Sequence, residues 1–214
     1  MAGGCCARDY EKVFGRRTAD RDARRFRRRG LRGSAKTLAE LAGDVRGATV
    51  LEVGGGVGAI EIDLLEKGAA SATNVELAAT YEDAALVLLA ERGLADRVER
   101  RVGDFVAEAL AVPAHDVVVM HRVVCCYPDV NALVGAGADR ARLRMVLTYP
   151  RERQLILAVL LVANAMMRLT GSTFRVYVHP FDRIAAAAGA HGLELAERRS
   201  GTVWETTAFA TSAR

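Results

Sequence analysis

From residue 48 onward, short apolar runs alternate with longer stretches whose apolar positions recur every three to four residues, the sequence form of β-α units. Ala48–Val53 reads as a buried strand and Val57–Lys67 as the helix after it; Thr73–Leu77 and Thr80–Arg92 repeat the pair, with Gly93 near the helix end. Val98–Val102 and Val117–Met120 read as the next strands, followed by a helix over Asp129–Ala138 and a strand at Leu143–Thr148. Beyond Tyr149-Pro150 the pattern predicts an apolar helix (Glu152–Leu169), an extended piece (Phe174–Val178) and a helix from Phe181 to about His191. Two terminal β runs, Glu194–Arg199 and Val203–Ala210, are joined by Ser200-Gly201, whose turn chemistry fits a hairpin. The Leu155–Met167 stretch is expected to be an ordinary crossover helix buried against the sheet; shielding a hydrophobic acceptor is the second reading.

Composition adds a division of charge. The 214 residues are 51% hydrophobic and suit one α/β domain, with little room for a separate substrate domain. The net charge of +4 is not spread evenly: residues 1–40 hold 12 Lys/Arg against five acids, and the rest of the chain is net −3. The expected division is a basic helical cap over 1–44 and a cofactor-binding domain over 45–214. The stretch Arg16–Arg32 contains nine Arg, and a helix from about Thr18 spreads them around most of its circumference. A solvated or capping helix whose Arg stems pack on the acidic body is the first reading. Attraction of an anionic substrate or carrier is the second, and RNA or DNA binding the third, because one aromatic among the basic residues makes no stacking platform. The N-terminus lacks an apolar targeting region, and Leu155–Met167 is too short to span a bilayer, so the expected location is the cytoplasm with no membrane span.

The strongest local signal is Val50-Leu51-Glu52-Val53-Gly54-Gly55-Gly56-Val57-Gly58-Ala59-Ile60, where a strand ends in glycines and a helix begins at once. Such a loop lets a ligand approach the main chain and the helix N-terminus. Two templates fit. Gly54, Gly56 and Ala59 satisfy the dinucleotide fingerprint G-x-G-x-x-G/A, while Glu52, Gly54, Gly56 and Gly58 satisfy the acidic-x-G-x-G-x-G form used for S-adenosylmethionine. Glu52 favours the second, since a carboxylate there accepts hydrogen bonds from loop amides or meets a cationic methionine end, and repels a pyrophosphate. Glu76, 24 residues later, is placed to take both ribose hydroxyls under either template. Gly103-Asp104-Phe105 offers a carboxylate for the adenine amino group and an aromatic edge for its ring.

With these residues the chain resembles the class I S-adenosylmethionine-dependent methyltransferases over roughly residues 45–210, in the flavour of the small-molecule enzymes of the ubiquinone pathway and of magnesium protoporphyrin. Glu52 to Gly58, with Gly55 among them, matches the first motif, Asn74-Val75-Glu76-Leu77 the ribose-binding strand end, Gly103-Asp104-Phe105 the adenine-side acid, and His115 to His121 the fourth strand. The resemblance implies a Rossmann-like α/β fold: a seven-stranded, mostly parallel sheet with an antiparallel C-terminal strand, flanked by helices, with S-adenosyl-L-methionine as cofactor. It departs from the porphyrin enzymes at its cysteine pairs and around Phe174–Pro180, so that substrate is not carried over. The expected activity is methyl transfer to a small-molecule O, N or C acceptor; a nicotinamide-dinucleotide oxidoreductase and a non-catalytic S-adenosylmethionine-binding module are the alternatives.

Ligands of open α/β sheets lie beyond the carboxyl ends of the strands, which makes His121 the candidate catalytic residue as well as a cofactor neighbour. A neutral imidazole there accepts a proton during methyl transfer, or only packs beside the cofactor. The four cysteines form two adjacent pairs, Cys5/Cys6 and Cys125/Cys126. Packing is the first reading of the second pair; a soft-metal site or redox latch joining both pairs lacks the usual C-x-x-C spacing, and no metal is expected. His179 borders the acceptor pocket or is a loop residue.

Overall fold

The computed structural model describes residues 7–212. Three helices open the chain: α1 (Ala7–Val13), α2 (Arg16–Arg29) and α3 (Ser34–Leu41). The β-α alternation follows as β1 (Thr49–Val53), α4 (Ala59–Glu66), β2 (Ser71–Glu76), α5 (Glu82–Glu91), β3 (Val98–Val102), the single turn α6 (Phe105–Glu108) and β4 (His115–His121). The chain then continues through α7 (Val130–Arg140), β5 (Ala141–Pro150), α8 (Gln154–Leu169), α9 (Phe181–Ala190), β6 (Leu193–Ser200) and β7 (Trp204–Thr211). The strands form one seven-stranded sheet in the order β3-β2-β1-β4-β5-β7-β6. Only β7 runs against its neighbours, inserted between β5 and β6. The terminal hairpin and the reversed strand agree with the sequence expectation. His121 is the last residue of β4 rather than the first residue after it.

Side-chain alternation divides the core between the two faces of the sheet. Val50, Ala72, Val117, Val119 and Val146 face one cluster, completed by Ile60, Leu64, Leu88, Leu38, Leu41 and Phe26 from α4, α5, α3 and α2. Leu51, Val53, Val118, Met120 and Leu147 face the other, with Phe105, Leu133, Val134 and Ile184 from α6, α7 and α9. Helices α2 and α3 thus contribute to the main core.

The expectation of a buried crossover helix at 155–167 is overturned. Helix α8 has no buried residue, and Leu155, Leu161 and Leu169 are 76%, 72% and 88% exposed. Other helices already cover both sheet faces, so a helix that is apolar all round has no surface left to occupy. It is tied down through Asn164, whose amide donates to the Val176 carbonyl (2.8 Å) and accepts from the Val176 N–H (2.9 Å). The segment Phe174–Val178 has no regular structure. Among the described residues no helix is long and apolar enough to cross a membrane.

Because Leu38 of α3 is fully buried in the main core, Leu38→Ala is expected to lower the unfolding free energy by about 2–5 kcal/mol. Leu169→Ala, at the exposed end of α8, is expected to change it by less than about 0.5 kcal/mol. Urea unfolding of both variants checks this, and equal effects would show that α3 and α8 are equally peripheral.

Candidate active site

The winding of the sheet reverses between β1 and β4, which leaves a crevice beyond their carboxyl ends. The glycine loop fills one side of it. At Gly55 a Cβ would stand 2.2 Å from Asn74 Nδ2 and 2.7 Å from Glu52 Cδ, so no larger residue fits between the loop and the strands beneath it. Gly56 turns with φ +57°, a left-handed conformation that glycine adopts without strain, and presents its N–H to Glu76 Oε2 at 2.8 Å. Gly58 lies at the N-cap of α4 with φ +77° and sits outside the cavity described below.

Beneath the loop lies a polar row that sequence reasoning missed. Strand register aligns Glu52 of β1 with Asn74 of β2, and Asn74 with Arg100 of β3. Helix α4 adds Glu61. Its backbone N–H donates to Glu52 Oε2 (2.8 Å), and its carboxylate accepts from Asn74 Nδ2 (2.9 Å) and from Arg100 Nη1 (3.3 Å). Arg100 also donates to the Gly56 carbonyl (2.9 Å) and to Glu82 Oε1 (2.8 Å), fastening loop, helix and strand together. One guanidinium serves several buried acids. Burial, then the nearby Glu61 charge, pushes the Glu52 carboxyl well up, and burial raises Glu61 to about 7 despite Arg100. Asn74 Oδ1 is buried with no partner among the described residues.

The acids singled out in the sequence stand around the same crevice. Glu76 closes β2 and accepts from the N–H groups of Gly56 (2.8 Å) and Ala78 (2.9 Å), which fixes both its oxygens; burial raises its pKa and these amides pull it back. Asp104 caps α6 by accepting from the Val106 N–H at 3.0 Å, and Tyr127 Oη lies 3.4 Å from its Oδ2. Phe105 is buried beside it.

His121 meets the N-terminal helices. Its Nε2 is 3.0 Å from Ser34 Oγ at the start of α3, and Arg122 Nη2 donates to the same hydroxyl at 3.2 Å. The serine oxygen accepts from Arg122 and keeps both a proton and a second lone pair, so it pairs with Nε2 in either ring tautomer. Burial, then the Arg122 charge, pushes the imidazole down to about 3, so it is neutral at physiological pH. Arg122 itself is held at φ +61° with its guanidinium 4.3 Å from the Trp204 ring centroid.

Cys125 is buried and Cys126 partly so; both thiols lie within reach of the Arg122 carbonyl. Cys5 and Cys6 lie outside the described residues. His179 turns away from the cavity and donates from Nε2 to the Tyr127 carbonyl at 2.9 Å, which makes it a loop residue.

These groups enclose a cavity of about 380 Å³. Glu52, Gly54, Gly55, Gly56, Glu76, Leu77, Asp104, Phe105 and His121 all line it; Gly58 does not. The rest of the lining includes Tyr10 and Phe14, Phe26, Leu31 and Ala35, Tyr81, Val123 and Tyr127. Tyr10 and Phe14 pack edge-on against Phe174 (5.2 and 5.7 Å between centroids), and the Tyr10 hydroxyl donates to the Cys126 carbonyl. The Arg27–Glu91 (2.6 Å) and Arg16–Asp83 ion pairs hold α2 on α5. The sequence predicts an N-terminal cap, but no local pattern marks Tyr10 and Phe14 as its cavity-facing residues.

A carboxyl raised in the folded chain contributes stability that is complete below its ordinary value and lost as the pH rises through the folded one. For Glu61 that window runs from 4.5 to about 7. Stability is therefore expected to decline across it and Glu61→Gln to flatten the decline; an unchanged profile in chemical unfolding would remove the buried acid from the account.

The architecture is shared with solved methyltransferases of low sequence similarity. Magnesium protoporphyrin IX methyltransferase from Synechocystis PCC 6803 superposes with a TM-score of 0.63 at 18% identity, covering 99% of this chain and 90% of that one. An O-methyltransferase family protein from Burkholderia thailandensis gives 0.73 at 19% identity, with 96% of this chain covered and 62% of that one. Geranyl diphosphate C-methyltransferase from Streptomyces coelicolor A3(2) gives 0.66 at 14%, covering 83% and 77%. No protein-family model and no curated protein matches the chain in sequence. In its strand order and its reversed β7, the chain has the Rossmann-like methyltransferase fold.

Proposed function

We propose that the protein is an S-adenosylmethionine-dependent methyltransferase acting on a small-molecule acceptor. The observation that carries this reading is the single cavity into which the glycine loop, Glu76, Asp104-Phe105 and His121 all open. When bound, the cofactor supplies an electrophilic methyl group on a cationic sulfur. The chain supplies the rest. Glu76, its carboxylate already oriented by two amides, retains acceptor capacity for a pair of ribose hydroxyls. Asp104 with Phe105 takes the adenine, and Gly54 to Gly56 let the ligand lie against the backbone, with Glu52 below them at the methionine end. Gly58 acts indirectly, by starting α4.

His121 is assigned to positioning. An imidazole held down to about 3 is a poor proton store at neutral pH, and its Nε2 is already engaged by Ser34. What it offers is a ring nitrogen, Nδ1, held in place to hydrogen-bond an acceptor molecule while Nε2 is engaged by Ser34. Methyl transfer from a sulfonium is driven chiefly by alignment, which a fixed imidazole and the surrounding cavity walls provide.

Calorimetric titration with S-adenosylhomocysteine beside NADH tests the reading. Micromolar binding of the first is expected, with Glu76→Ala and Asp104→Ala each weakening it about tenfold or more while leaving the fold intact by circular dichroism. Binding of NADH alone would overturn the proposal, and unchanged affinity in both variants would remove the site assignment.

A further inference from the structure

Three guanidinium groups line the cap side of the cavity: Arg25 of α2, Arg32 between α2 and α3, and Arg122 after β4. All three residues are exposed. Among the described residues none of them has an ion-pair partner, whereas Arg16 and Arg27 of the same segment are paired with Asp83 and Glu91. Arg122 is fixed in place: it is the one non-glycine among the described residues with positive φ, a costly conformation, and it is braced by the Trp204 ring and the Ser34 hydroxyl. Arg25 lies near enough to oppose its charge. The acid in this part of the lining, Asp22, hydrogen-bonds the Tyr81 hydroxyl, lies 3.7 Å from Arg21 and is felt by Arg122, so one carboxylate faces three guanidinium groups and an excess of positive charge remains. Tyr10, Phe14, Phe26 and Leu31 add apolar surface to the same cavity.

Like charges converging on one partly apolar cavity repel one another unless an anion joins them, and guanidinium forks match carboxylate and phosphate oxygens. We propose that Arg25, Arg32 and Arg122 form an anion subsite, and that the molecule presented for methylation is an organic acid: an apolar body carrying a carboxylate or a phosphate. This rests on the methyltransferase reading for the words "for methylation", but the subsite itself does not. The half of the cavity that holds Glu76 and Asp104 suits a cationic cofactor, and the basic half suits an anion, so each ligand is discouraged from the other's place.

Calorimetry with the full chain, saturated with S-adenosylhomocysteine, distinguishes the possibilities using naphthylacetate, naphthyl phosphate and the neutral naphthylacetamide as probes. At least one anion is expected to bind about tenfold or more tightly than the amide, and whichever of the two binds better identifies the headgroup. Arg25→Gln with Arg32→Gln, both at exposed positions, is expected to abolish most of that preference without changing the affinity for S-adenosylhomocysteine; Arg122→Gln is expected to do the same and Arg122→Lys to restore part of it. Equal binding of amide and anions, absence of anion binding, or a preference that survives in the double variant would each overturn the subsite. Anion binding that persists in a protein unable to bind S-adenosylhomocysteine would support the subsite and overturn the methyltransferase reading instead.

Discussion

The contact on which the site depends is the grip of Arg100 on its surroundings. A single buried guanidinium holds the carbonyl of Gly56, the carboxylate of Glu61 at the start of α4, and Glu82 at the start of α5. Two of those partners belong to helices and one to the cavity-lining glycine loop, so the loop is positioned from behind by the same group that neutralises the acids. Breaking such a buried pair by removing one member leaves an uncompensated charge, a larger penalty than the pair's own net stabilisation. With Glu52, Glu61 and Glu82 around one cation, the balance is reached by raising the carboxyls of Glu52 and Glu61 rather than by adding a second cation.

The second constraint joins the N-terminal helices to the sheet. Ser34 bridges His121 and Arg122, Tyr10 reaches the Cys126 carbonyl, and Leu38 and Leu41 sit in the main core. The segment with most of the positive charge is therefore also a wall of the cavity. Two of its arginines are spent on acids of α5, while Arg25 and Arg32 are presented to the cavity. The cavity is in this way acidic where the glycine loop lies and basic where the N-terminal helices lie.

What could be read in the sequence was what is local. A strand running into Gly54-Gly55-Gly56 announces its own turn, and Glu76 and Asp104 follow strands at positions that any open α/β sheet turns toward its crevice. Asn74 and Arg100 are different: their meaning arises only when the register sets Glu52, Asn74 and Arg100 side by side and α4 lowers Glu61 onto them. In the sequence Arg100 sits in Val98-Glu99-Arg100-Arg101-Val102, which reads only as a strand. The misreading of α8 has a related origin. An apolar helix signals burial, but whether a face remains free to bury it is a property of the other helices, and here both faces were taken. Tyr10 and Phe14 join the cavity wall through contacts with Phe174, 160 and more residues away in the chain, which no local pattern discloses.

The nucleoside site proposed for the crevice between the glycine loop and the N-terminal helices is read by Glu76 and Asp104. A crystal structure of the protein grown with S-adenosylhomocysteine tests it most directly. The expected result is the ribose hydroxyls within hydrogen-bonding distance of the Glu76 carboxylate, the adenine beside Asp104 and Phe105, and the sulfur directed toward His121. Density for the ligand elsewhere, or a glycine loop left bare at saturating ligand, would contradict it.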